Sequence, residues 1–431
     1  MILKLNEYAL FRKFDGDPSS PRVSCEVVQG KSDFHCLLPP DVSELLHQFD
    51  GTRTIREVVG AYCHDRPDAS PQKLIRLIEN YFVPNGVLVG NDGPEAPVAA
   101  RVSRKPHYVR FAFPLVSRRI IRALVSPLGA LFRAPCLISL LAVAGTAHLA
   151  FYSTHSVREL IDSTTLPLSD AAIIVFMMVL SAFFHELGHA AALVRHGGDA
   201  REIGFAVYLM RPVLYTNVTD SWRLTRWQRM QVDAGGMYFD SIFLLILLAA
   251  TWLFPSRALS FSVLWIDLMV VATLNPVLRM DGYWLLADLA GSSGLREESV
   301  AALKDFLLSF AGGSSNGRRL PERKRLLLTV YALVSVCVFA WTYWYFATVL
   351  CTVMIPQYPE LLKQMVDGLR KVNVLGVTRA LVILLWTTMM ILAFAAFVID
   401  ALRRVAGLGH SFIRAVADAP GSRDAQKGCE I

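Results

Sequence analysis

Residues 171 to 198 read AAIIVFMMVLSAFFHELGHAAALVRHGG. The first half is uninterrupted apolar sequence, and the run 169–195 is long enough, at about 1.5 Å per residue, to cross a hydrocarbon core of roughly 30 Å. Into this helix the chain places His185, Glu186 and His189. Ionisable groups are costly in a bilayer, so their presence there signals function rather than packing. His185 and His189 are four residues apart and share one helical face about one turn apart, while Glu186 projects roughly 100° around the helix. Two imidazoles so spaced bind one zinc ion, and the intervening glutamate can reach a ligand held by both. A catalytic zinc site needs a third protein ligand, which has to come from elsewhere in the chain.

Composition points the same way. The 431 residues are 54% hydrophobic and 18% charged, with a mean hydropathy of +0.41, which excludes an ordinary soluble domain. The net charge of +7 does not indicate nucleic-acid binding, because the basic residues gather beside the hydrophobic runs, where cytoplasmic flanks are basic. Seven cysteines without a CxxC pair suggest neither a disulfide framework nor a cysteine zinc site. No cleavable signal peptide is expected at the start.

The apolar runs predict a mainly α, polytopic membrane protein of about six transmembrane helices, at 131–152, 169–195, 230–254, 258–280, 326–352 and 377–400. Between the second and third, residues 201–218 alternate like strands and predict a membrane-associated β-hairpin. Basic clusters such as Arg118, Arg119 and Arg122, Arg223, Arg226 and Arg229, and Arg323 to Arg325 fall on one side of this topology. That side is the cytoplasm, with both termini inside. The expected organisation is a domain at 1–92, a basic linker and interfacial segment at 93–125, a transmembrane domain at 126–405 and a flexible tail at 406–431.

The topology also proposes the third ligand. Asp281, in LNPVLRMDGYWLLAD, falls at the cytoplasmic end of the fourth span, at the depth of the two histidines, with Pro276 and Gly282 loosening the backbone around it. Asp288, one heptad later, is the fallback. Asp240 and Asp267 lie in apolar spans and are functional candidates by cost, with helix–helix hydrogen bonding as the plainer role. His196 reads as an interfacial histidine.

Residues 1–92 alternate strand-like runs, YALFRKF, RVSCEVVQ and DFHCLLP, with three amphipathic helices and a closing VLVG. Ser70 and Pro71 mark the start of the third helix. The pattern predicts an α+β, winged-helix-like fold.

Two resemblances sharpen these expectations. FHCLLPPDVSELLHQFDGTRTIREVV, followed by LIENYFVPNGVLVG, resembles the PqqD-like domain that recognises leader peptides of ribosomally made, modified peptides. The resemblance implies that a peptide adds as a strand to the sheet edge and lies against the third helix. Residues 170–295, through HELGHAAALVRHGGDAREIGF, VLYTNVTDSWRLTRWQRMQVDAGG and LNPVLRMDGYWLLADLAG, resemble the site-2 protease family of intramembrane zinc metalloproteases, in its bacterial peptide zinc metalloprotease branch. It implies His185, His189 and Asp281 as ligands of Zn2+, Glu186 as general base, and Asn275 as a residue that holds substrate or stabilises the oxyanion. Asn217 departs from that branch, which usually carries an acidic residue there; Asp220 and Trp222 are retained.

The expected protein is therefore an intramembrane zinc metalloendopeptidase in a bacterial cytoplasmic membrane, cleaving a ribosomal peptide precursor, with peptide-modifying enzymes or an exporter as partners. The alternatives are a non-catalytic scaffold in a modification or export complex, and a protease acting on a membrane-anchored regulator.

Overall fold

The first two strands of the chain enter different sheets. The computed structural model describes residues 1–16, 21–29, 32–66, 69–90, 109–161, 167–208, 211–292, 294–310 and 321–371, with most of 376–399. Strands β1 (Ile2–Leu5), β2 (Ala9–Phe14), β3 (Arg22–Gln29) and β4 (Ser32–Leu38) are followed by helix α1 (Pro40–His47), β5 (Asp50–Thr54), α2 (Ile55–His64), α3 (Pro71–Leu77, continued by a π turn at Ile78–Phe82) and β6 (Leu88–Gly90). They form two antiparallel three-stranded sheets, β5-β1-β6 and β2-β3-β4. The core between them gathers Leu3, Val27, Leu45, Leu46, Val58, Val59, Ile78 and Phe82. Cys25 and Cys36 face each other across β3 and β4 as free thiols.

Strands β1 and β5 have no counterpart in the sequence reading. The first is short, and the second, DGTRT, is polar throughout and offers no alternation. Gly51 takes a positive φ of 85° within β5, and Thr54 then caps α2 reciprocally with Glu57. That bond to the Thr54 N–H holds the Glu57 carboxyl below its usual range. Ser70 occupies the N-cap of α3 without a capping bond from its side chain, and Pro71 opens the helix as expected.

The membrane-type part begins earlier than composition indicates. Residues 93–108 of the expected linker lie outside the described residues, but β7 (Val109–Ser117) and α4 (Arg118–Val125) belong to the fold. Strand β7 pairs with β8 (Glu202–Tyr208), which pairs with β9 (Arg211–Thr216), so the expected hairpin is two strands of a three-stranded sheet, β7-β8-β9. Pro114 and two register shifts break the strand pattern of β7, which an edge position tolerates.

The helices that follow are α5 (Ala134–Thr154), α6 (Val157–Ile161), α7 (Leu168–Arg195), α8 (Arg226–Leu253), α9 (Arg257–Thr273) and α10 (Asp281–Leu289). Residues 1–293 form one compact unit and 294–431 a second. The second holds α11 (Leu295–Phe310), packed on α12 (Glu322–Val349), which runs through a π turn at Leu350–Met354 into α13 (Ile355–Arg370).

Among the described residues, four helices are long and apolar enough to cross a membrane: 134–154, 169–195, 226–253 and 322–370. Their outward faces carry large apolar side chains, with Leu149 74% exposed, Phe176 60% and Trp344 66%. Three expected spans differ. The fourth, 258–280, stops at Thr273, because Asn275 precedes a proline and its side chain accepts the Val277 N–H at 2.8 Å. The fifth continues past 352 to Arg370. The sixth is an apolar helix at Gly376–Met389; its remainder lies partly, and the expected tail at 406–431 wholly, outside the described residues.

Candidate metal centre

Helices α7 and α8 approach backbone to backbone. A Cβ on Gly188 would stand 2.2 Å from the Gly235 carbonyl oxygen, and one on Gly235 would stand 2.7 Å from that of Gly188. This contact brings Gly236 under the two imidazoles, where a Cβ would lie 2.5 Å from His185 Nε2 and 2.6 Å from His189 Nε2. The place toward which both ring nitrogens point is thus kept open by the absence of a side chain.

Asp281 reaches the same place from the first position of α10. That helix is seated by Gly282, whose Cβ would meet the Leu274 carbonyl oxygen at 2.1 Å, and by the buried Tyr283. Asp281 Oδ2 lies 2.9 Å from His185 Nε2 and 3.3 Å from His189 Nε2, and the two nitrogens are 3.1 Å apart. Ligand atoms at the corners of a tetrahedron with zinc bonds of 2.0–2.1 Å are separated by about 3.3 Å. The three atoms are near that spacing.

The tautomers decide what these atoms can do. His189 Nδ1 is 2.7 Å from the Val232 carbonyl, which can only accept, so Nδ1 carries the proton. His185 Nδ1 is 2.7 Å from Asp240 Oδ2, a second acceptor, and Ser181 Oγ donates to Asp240 Oδ1 at 3.2 Å. Neutral imidazoles with Nδ1 protonated present lone pairs at Nε2. Two lone pairs and a carboxylate oxygen then converge with no donor among them, in a site whose side chains are 11–21% exposed. Such a set calls for a cation. The donors fit zinc: two nitrogens and one oxygen, with outer partners fixing both rings.

Glu186 follows His185 on α7, and its charge lies within reach of His189. Its carbonyl accepts from Thr216 Oγ1 at 3.0 Å, which ties the end of β9 to the motif. The structure therefore brings together His185, His189 and Asp281, with Glu186 beside them. Asn275 instead sits in the turn between α9 and α10, its side-chain oxygen engaged by the Val277 N–H. Asp288 is held by Arg229 and is not a ligand.

Asp267 bonds His148 Nε2 at 3.1 Å and Tyr152 Oη at 2.6 Å, joining α9 to α5 in the plainer role expected of it. His196 meets Gln231 at 2.8 Å. Asn217 accepts from the Thr219 N–H and hydroxyl and shapes the turn after β9. The sequence flagged Asp240 by its cost in an apolar helix, but its partner could be found only by folding α8 against α7. Gly236 carried no signal of its role at all.

Glu26, His35 and Asp220 form another cluster of ligand-type side chains. Arg223 pairs with Glu26, and Arg201 with Asp220, so guanidinium groups already supply the positive charge there. Burial lowers the His35 pKa, which keeps its imidazole neutral.

No known protein family, curated protein or solved structure matches the chain.

Proposed function

We propose that the chain is an intramembrane zinc metallopeptidase of the site-2 protease type that cleaves a ribosomally made peptide precursor. The observation that carries this reading is the convergence of His185 Nε2, His189 Nε2 and Asp281 Oδ2, three ligand-type atoms within 3.3 Å of one another, beside Glu186. Zinc held there would supply the Lewis acidity of peptide hydrolysis, acidifying a water and polarising the scissile carbonyl. Glu186 takes the proton from the attacking water and returns it to the leaving amine. Asp240 and the Val232 carbonyl accept from Nδ1 of His185 and His189, which turns the Nε2 of each ring toward the place a metal would take.

Two features favour a peptide as substrate. Strand β9 is an edge of its sheet and is bonded to α7 at Glu186, so an extended chain added to that edge would run toward the general base. The N-terminal α+β domain, on its resemblance to leader-binding domains, would capture the precursor and raise its local concentration to about millimolar. The protein lies in the bacterial cytoplasmic membrane in this reading, beside modifying enzymes or an exporter.

The test is mass spectrometry of a precursor peptide encoded beside the gene, co-expressed with the wild-type chain or with Glu186→Gln. Loss of a general base costs about 10²–10⁴-fold in rate, so a defined product should vanish in the variant. Equal products from both chains, with export still dependent on residues 1–92, would replace the protease by a scaffold.

A further inference from the structure

Among the described residues, the N-terminal domain touches the membrane-type part at two places, and each leads to the metal centre. At the first, the end of β2 meets the start of α8 and the end of α10. Arg229, 5% exposed, makes a forked pair with Asp288 of α10, with Nε 2.9 Å and Nη2 2.7 Å from Oδ1. The same guanidinium donates to the Asp15 carbonyl at 2.8 Å and lies over the Phe14 ring, its carbon 4.3 Å from the centroid. Asp15 Oδ2 also accepts the Arg226 N–H at 2.8 Å, and Arg226 donates to the Leu289 carbonyl at 2.9 Å. At the second, Glu26 of β3 accepts from Arg223 Nε at 2.8 Å. Arg223 belongs to the turn that holds Asp220, which in turn receives the Asp199 N–H and Arg201 beside β8.

We propose that the N-terminal domain is a brace for the metal centre, so that metal binding and domain docking strengthen each other; this rests on the metal-centre reading above. Helix α10 has nine residues, too few to hold an orientation by its own hydrogen bonds. It carries Asp281 at its first position, where Gly282 and Tyr283 seat it, and Asp288 two turns later, so a grip on Asp288 fixes the far end of the helix and with it the direction of Asp281. Arg229 provides that grip, and the docked domain completes the surroundings of Arg229 with a carbonyl and an aromatic face. A buried guanidinium deprived of such partners is strongly disfavoured and turns toward water. Undocking therefore loosens α10 and withdraws the third ligand. The second contact acts through the turn that follows Thr216 and its bond to the Glu186 carbonyl. A peptide that repositions the domain would thereby alter the site it is to be cut by.

The test uses the full chain in lipid nanodiscs, with Phe14→Ala, Trp222→Ala and the double variant. These two side chains face each other across the contact, ring centroids 5.8 Å apart, one from each part. Phe14 lies outside the apolar core of its own domain. Zinc affinity is read by competition with a chromophoric chelator, and docking by the distance between spin labels on the two parts. Each single variant should bind zinc about 5- to 50-fold more weakly, the double variant no more weakly than either, and zinc should shorten the label distance in the wild type. Losses that add in the double variant would mark separate folding defects and overturn the brace. So would variants that undock yet keep zinc affinity within about twofold of the wild type. A wild-type chain that binds no zinc would remove the metal centre itself, and the brace with it.

Discussion

Asp240 is a carboxylate inside an apolar helix, 5% exposed, and it accepts from His185 Nδ1 at 2.7 Å and from the Ser181 hydroxyl at 3.2 Å. The bond to His185 selects the tautomer, orients the ring and makes Nε2 a better donor, which is what carboxylates behind zinc-binding histidines do, at about 10- to 100-fold in metal affinity. Asp240→Ala should therefore weaken zinc binding by about that factor, while Asp240→Asn, which keeps an acceptor but not the charge, should fall between. Chelator competition on both variants measures it, and an Ala variant as tight as wild type would show that α7 alone orients His185. That His185 and His189 face one point was legible from spacing. The role of Asp240 was not, because fifty-five residues of chain separate it from its partner.

At the scale of elements, the centre depends on how near α8 comes to α7. Gly188 and Gly235 permit an approach that leaves no room for even a methyl group. Gly188→Ala should push the helices apart at a cost of about 1–3 kcal/mol, lowering the thermal midpoint and weakening zinc binding together. Gly145→Ala on the exposed side of α5, where a Cβ meets nothing within 4 Å, should change neither. A Gly188→Ala chain that matches wild type in both would mean that the helix contact is not what places the histidines. The apolar runs of α5, α7 and α8 were readable by their length. The break at Thr273 and the restart at Asp281 were only half readable: Pro276 announced an interruption, but not that Asn275 would take the Val277 N–H and end the helix before it.

For the whole molecule, the basic flanks predict both termini on the cytoplasmic side, with the metal centre opening toward it. Single cysteines at exposed positions of residues 1–16, labelled in intact cells and in inverted membrane vesicles, should react with an impermeant maleimide only in the vesicles. Labelling in intact cells would invert the topology and place the centre on the outer face. Hydropathy and the HExxH spacing are local properties that survive in a string, so the long apolar helices and the placing of His185 and His189 on one helical face could be read without a fold. Folding alone brings Asp281 rather than Asp288 to the histidines, sets Asp240 behind one of them, adds residues 109–117 to a sheet and rests the N-terminal domain on Arg229. Each of these is a contact between residues distant along the chain, set by backbone approach and by the direction of a short helix, and neither quantity has a local signature.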